Sequence, residues 1–147
     1  CAGRRISPMK ASDIMTMGAA TTTANSSLAT AIKCMSDHRI SALPVLDEEG
    51  HLQGIVTEGD FFRQDLGPFR LDALVGAGAE ERARSLETMT VSEIMSPQPI
   101  TVDGSEPLEE AIAIMEGRGV RRLPVTSNGK LVGLLSRADI LRALITD

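Results

Sequence analysis

The sequence predicts a mixed α+β fold built twice over, and three observations predict it. Slid along itself by 80 positions the chain repeats: Ser12, Ile14 and Met15 fall on Ser92, Ile94 and Met95, and Leu43-Pro44-Val45 falls on Leu123-Pro124-Val125. Each copy carries an apolar stripe at helical spacing, then two short apolar runs separated by a turn signal. The composition is globular, with 42% hydrophobic and 24% charged residues over 147 positions. A core shared between two small units is within reach of such a chain.

Each copy opens with a short extended segment, around Ala20-Thr21 and Ile100-Thr101. Asn25 and Ser105 are N-cap residue types, and Pro107 falls in the first helical turn of the second copy. Leu28, Ala31, Ile32 and Met35 then mark a helix, which Leu108, Ala111, Ile112 and Met115 repeat. Strands are expected over 40–46 and 120–126. Asp47-Glu48-Glu49-Gly50 and Ser127-Asn128-Gly129 turn the chain, the second through an Asn-Gly pair suited to positive φ. Return strands follow over 52–56 and 131–135. A second helix starts near Asp60 and near Asp139, with Phe61-Phe62 and Ile140-Leu141 facing inward.

The division is thus an N-terminal extension over 1–10, a first repeat over 11–66, a connector over 67–90 and a second repeat over 91–147. In the connector Gly67-Pro68, Gly76 and Gly78 interrupt regular structure, and 80–86 suggests one short helix. It is expected to be a surface excursion.

Composition excludes several classes of function. Aromatic residues are 2% of the chain, with no Trp or Tyr, so a base-stacking platform is not available. A net charge of −5 gives no overall attraction for nucleic acid. Two cysteines make no disulfide framework, His38 and His51 stand in no metal-ligand spacing, and no metal site is expected. No apolar run is long enough to span a membrane and no apolar signal segment opens the chain, so the expected compartment is the cytoplasm. Gly76-Ala77-Gly78 lacks a preceding strand and a Walker lysine, which makes it a connector and not a phosphate loop. No nucleophile, base and orienting group come together in the pattern, so an enzyme is not expected. The methionines at 15, 35, 95 and 115 recur in register as adaptable core packing. Cys34 is expected at a helix–helix or dimer contact.

The segments that carry chemistry are Gly54-Ile55-Val56-Thr57-Glu58-Gly59-Asp60 and Gly133-Leu134-Leu135-Ser136-Arg137-Ala138-Asp139. The glycine is read as the end of a strand where the backbone turns closely. Thr57 or Ser136 then opens a helix whose unpaired N–H groups favour an anion such as phosphate. Asp60 or Asp139, one turn on, offers two acceptor oxygens to a vicinal diol such as ribose. Ser/Thr followed three residues later by Asp is equally a capping box. Arg118, Arg121 and Arg122 form a basic cluster, either phosphate contacts or ion-pair partners of Glu109, Glu110 and Glu116. Strand alternation lets only one of Arg121 and Arg122 face a given cleft. His38-Arg39 holds the equivalent place in the first copy.

With these residues in place, the chain resembles a tandem pair of CBS domains, also called a Bateman module. Ile40-Ser41-Ala42-Leu43-Pro44-Val45 with Gly54 to Asp60 carries the resemblance in one copy, and Arg122-Leu123-Pro124-Val125 with Gly133 to Asp139 in the other. The resemblance implies two β-α-β-β-α repeats packed with pseudo-twofold symmetry through their sheets, frequently as a homodimer. It also implies two composite clefts for adenosine-containing ligands, AMP, ADP, ATP or S-adenosylmethionine, acting as regulators and not as required cofactors. One cleft would use Thr57 and Asp60 with Ile100, Val120, Arg122 and Pro124. The other would use Ser136 and Asp139 with Ala20, Ile40, Ala42 and Pro44. The expectation is a stand-alone bacterial type of signalling module that informs a downstream protein or an attached domain. The alternative is a scaffold that dimerises with empty clefts.

Overall fold

A computed structural model describes residues 9–63, 65–66 and 70–145. The chain divides into two compact units, and the division does not follow the repeats. Ala20–Pro99 forms one unit, while the segment that ends at Ala19 joins Ile100 onward to form the other. Each unit therefore takes its lead-in segment from the neighbouring copy of the repeat.

In the unit Ala20–Pro99, α2 (Leu28–His38) buries Leu28, Ala31 and Met35, the stripe expected from their spacing. Helix α1 (Ala11–Ile14) belongs to the other unit. Ser27 caps α2 by accepting the Thr30 N–H, and Arg39 closes it in the left-handed conformation at φ 53°. Strands β1 (Ala42–Leu46) and β2 (Leu52–Thr57) pair antiparallel, with Ala42 opposite Thr57. The opening segment adds a single parallel bridge, Thr22 to Val45. A 3-10 turn, Glu58–Phe62, follows β2 directly. Two helices come next, α3 (Leu71–Gly76) and α4 (Ala79–Thr88), and α4 packs on α2. A second 3-10 turn, Val91–Glu93, then brings Val91 and Ile94 into a core with Leu43, Val45, Val56 and Phe61.

The other unit repeats the scheme with fuller elements. Strand β3 (Val102–Asp103) runs parallel to β4 (Arg122–Ser127), which pairs antiparallel with β5 (Lys130–Ser136). The β4–β5 turn is two residues, Asn128 at φ 54° and Gly129 at φ 82°, the geometry that the Asn-Gly pair was expected to supply. Helix α5 (Leu108–Arg118) buries Leu108, Ala111 and Met115 against Leu123, Val125 and Leu135, and α6 (Arg137–Leu144) closes the unit.

Several expectations need correction. Ser27 caps the first long helix, not Asn25, because its hydroxyl is the one placed to receive the Thr30 N–H. Pro107 itself occupies the cap position of α5, and Ser105 instead turns both its N–H and its hydroxyl onto Asp103. Strands β1 and β4 start two residues later than expected. The second helix of the first copy is one 3-10 turn, and it buries Phe61 while leaving Phe62 71% exposed. In α6, Leu141 is likewise 64% exposed and only Ile140 packs on the core. The connector is more than an excursion: it holds two helices, and Leu74 and Met89 are buried.

The repeated glycine also has a different reason from the one expected. Gly54 and Gly133 lie inside strands, and each faces the lead-in segment at close range. A Cβ on Gly54 would stand 2.7 Å from the Ser96 carbonyl oxygen and 2.8 Å from the Met95 sulfur. A Cβ on Gly133 would stand 2.6 Å from the Met15 sulfur and 3.0 Å from the Thr16 carbonyl oxygen. Beside Gly54, Ile55 and Ser96 exchange both backbone hydrogen bonds, at 3.1 and 2.8 Å. Beside Gly133, Thr16 and Leu134 do the same, at 2.7 and 2.9 Å. The repeated glycine and the repeated Ile-Met-Ser/Thr are thus two halves of one joint. Gly54→Ala and Gly133→Ala should each destabilise their unit by about 1–3 kcal/mol in chemical unfolding. Gly117→Ala, on α5 where an added Cβ meets nothing, should stabilise by about 0.5–1 kcal/mol.

Candidate functional site

The two Thr/Ser-x-x-Asp segments lie where the return strands end. In the first unit the Glu58 N–H donates to the Ser41 carbonyl at 3.0 Å, which fixes the start of the 3-10 turn beside the residues entering β1. Asp60 is half-buried, and its Oδ2 accepts the Thr57 N–H at 2.8 Å and the Thr57 hydroxyl at 3.3 Å. Among the described residues no other hydrogen bond reaches this carboxylate. The five-residue 3-10 turn has too few aligned peptides to act as the anion-favouring helix end that the sequence suggested.

The second unit treats its aspartate differently. The Arg137 N–H donates to the Arg121 carbonyl at 3.1 Å, in the place of the Glu58 contact. Asp139 Oδ2 accepts the Ser136 N–H at 2.9 Å, and the Asp139 N–H donates to Ser136 Oγ at 3.1 Å, closing a reciprocal capping box. Asp139 Oδ1 accepts the Thr16 hydroxyl at 3.1 Å and Arg142 Nη1 at 3.2 Å. Asp139 is 5% exposed. Both of its oxygens are engaged.

Arg63 stands where the repeat places Arg142, and its bonding explains the contrast. Its Nε and Nη2 grip Asp65 at 3.0 and 2.7 Å, and its Nη1 donates to the Ile94 carbonyl at 3.0 Å. The Arg63 side chain holds the Asp65 carboxyl below its ordinary value, and the guanidinium is raised in turn.

The remaining expected residues sort by unit. Ala20, Ile40, Ala42 and Pro44 share the first unit with Thr57 and Asp60, while Ile100, Arg118, Val120, Arg121, Arg122 and Pro124 share the second with Ser136 and Asp139. Ala20, Ile40, Ile100 and Val120 are half-buried and present some surface. Pro44 and Pro124 are fully buried strand residues, and Ala42 is nearly so. Arg121 is exposed and Arg122, opposite Ser136, is half-buried, as strand alternation requires. Arg118 lies exposed in the last turn of α5. Thr16 and Arg142 were not singled out from the sequence, although the register between Arg63 and Arg142 was visible in it.

One cluster has metal-ligand chemistry despite lacking a ligand spacing in the sequence. Asp47, Glu49 and His51 place ligand atoms within 4.8 Å of one another on the β1–β2 turn. Asp47 Oδ1 already accepts the N–H groups of His51 and Glu49, at 2.8 and 2.9 Å. The His51 bond in particular holds the carboxyl below its ordinary value, so the cluster braces a turn. No helix among the described residues is long and apolar enough to cross a membrane.

With this geometry established, comparison with known proteins identifies the architecture. A family model described as CBS domain matches residues 11–67 and again 91–146. The chain belongs to the CBS-domain family. It is a tandem CBS pair of mixed helix and sheet, like its solved neighbours. A CBS domain-containing protein of Dictyostelium discoideum is 34% identical over 122 residues, covering 82% of this chain and 81% of its own. The structure of CBSX2 in complex with AMP aligns at 27% identity and a TM-score of 0.72, over 92% of this chain and 96% of the other. The CBS domain pair of protein MJ0100, in complex with 5′-methylthioadenosine and S-adenosyl-L-methionine, aligns at 27% identity and a TM-score of 0.70. That match spans 94% of this chain and 97% of the other.

The two functions of Arg63 in this CBS pair are separable by mutation. Arg63→Ala leaves the carbonyl of buried Ile94 without its donor and should cost about 1–3 kcal/mol in denaturant titration. Asp65→Ala removes only an exposed partner and should cost less than about 1 kcal/mol.

Proposed function

We propose that this CBS pair is a regulatory module that binds an adenosine-containing ligand, AMP, ADP or ATP, with S-adenosylmethionine as a further candidate. The observation that carries the reading is Asp60: a half-buried carboxylate whose Oδ2 is held by its own Thr57 and whose Oδ1 accepts no hydrogen bond among the described residues. Relatives of like fold solved with AMP and with S-adenosyl-L-methionine support the ligand class. The ribose contacts proposed are Thr57 and Asp60, with Ser136 and Asp139 as their repeat-equivalents, and the phosphate contact proposed is Arg122, with the exposed Arg118 and Arg121 as supporting charge. The module acts by signalling to a downstream protein or an attached domain in the cytoplasm, and not by catalysis.

Dimerisation is part of the proposal, and it is also the core of the alternative scaffold reading. Each unit leaves an apolar groove between its long helix and the turn or helix after its return strand. One is a cleft of about 660 Å³ lined by Ile32, Met35, Phe61 and Phe62, and the other, of about 320 Å³, by Ile112, Met115, Ile140 and Leu141. These are repeat-equivalent positions, and a second copy of the chain would cover them.

Calorimetric titration of nucleotide-free protein should show saturable, micromolar binding of at least one of the four ligands. Asp60→Ala should weaken it at least about ten-fold by removing a charged acceptor. Silence toward all four would sink the sensor and leave the scaffold. Light scattering should find a dimer that Phe62→Glu converts to monomer at micromolar concentration; an unchanged mass would exclude this face as the contact.

A further inference from the structure

The two repeats use the same aspartate for different ends. Asp139 is buried, and three partners occupy its oxygens: the Ser136 N–H, the Thr16 hydroxyl and the Arg142 guanidinium. Two of these are local to α6, but Thr16 arrives from 123 residues away in sequence, on the segment that leads into the first repeat. At the equivalent place in the first unit the lead-in residue is Ser96, bonded to Ile55 through its backbone, and Asp60 accepts only from Thr57 among the described residues. The segment preceding Thr16 is anchored to the same unit by Ala11 and Ser12 N–H groups donating to the Glu106 and Gly104 carbonyls. A diol approaching Asp139 therefore meets an oxygen that is already filled, whereas one approaching Asp60 does not.

We propose that Asp139 is a latch for the lead-in segment, closed by Thr16, and that a ribose diol and Thr16 compete for the same carboxylate oxygen. The competition part rests on the nucleotide reading above; the latch does not. The consequence is an inequality between the two repeats. Asp60 is the standing ligand contact, and the Ser136/Asp139 site opens only when Thr16 lets go. Ligand occupancy of that site would then be reported as loosening of residues 9–19, which turns binding into a structural signal in the segment that leads into the first repeat.

The test uses the whole chain with Thr16→Val, Thr16→Ser, Asp139→Asn, the Val/Asn double variant and Asp60→Ala. Hydrogen exchange without ligand reads the latch at the Leu134 amide, which donates to the Thr16 carbonyl. Exchange should quicken roughly ten-fold in Thr16→Val and in Asp139→Asn, no further in the double variant, and return to the wild-type rate in Thr16→Ser, which keeps the hydroxyl. Unchanged exchange in Thr16→Val, or additive effects in the double variant, overturns the latch. Titration with AMP reads the competition. One equivalent per chain in the wild type, none in Asp60→Ala and two in Thr16→Val are expected. Two equivalents in the wild type, one of them lost in Asp139→Asn, overturn the competition. Absence of AMP binding from every variant defeats the nucleotide reading, and the exchange experiment still decides the latch.

Discussion

The structure depends on the close approach of a backbone segment to the middle of each return strand. At Gly54 and Gly133 the absence of a side chain lets another stretch of main chain come within hydrogen-bonding reach across the sheet face. The neighbouring residue then exchanges a pair of backbone bonds with that stretch, so its polar groups are satisfied where they would otherwise be buried. The methionine before the joint, Met95 or Met15, lays its thioether over the glycine as filling. Remove the space and a sulfur, a carbonyl oxygen and two hydrogen bonds must all shift together. The hairpins and helices are built around that gap.

From the same joint the two copies diverge. In the first, Arg63 is committed to Asp65 and to the Ile94 carbonyl, and the 3-10 turn Glu58–Phe62 stands where the second copy has a helix, before the chain goes on to α3 and α4. In the second, Arg142 continues a full helix and turns back onto Asp139. An arginine conserved between the copies as a letter thus fastens the lead-in segment in one and the aspartate in the other.

Much of this was legible in the residues themselves. The stripes Leu28 to Met35 and Leu108 to Met115 declared their helices because burial selects one residue per turn on one face, and Asn128-Gly129 declared its turn because few other pairs accept two positive φ values. The caps were misplaced at Asn25 and Ser105 because several hydroxyl and amide residues crowd each helix start, and only geometry decides whose oxygen meets an N–H. Phe62 read as core because an apolar pair gives no hint that a 3-10 turn, at three residues per turn, faces its second member outward. Of the candidate site, the Thr57–Asp60 and Ser136–Asp139 pairs were readable from spacing alone. Thr16 was not, since a contact across 123 positions leaves no local pattern.

The crossing of lead-in segments between the copies also sets an order of assembly on a chain made from its N-terminus. Ala20–Pro99 is continuous, so every residue that unit needs is available once position 99 has left the ribosome. The other unit is discontinuous: its α1 and Thr16 are made before Ala20–Pro99, yet β5 and α6, against which they settle, are made after it. Throughout synthesis that early segment has no partner strand. The first described residues to be translated are among the last to find their place.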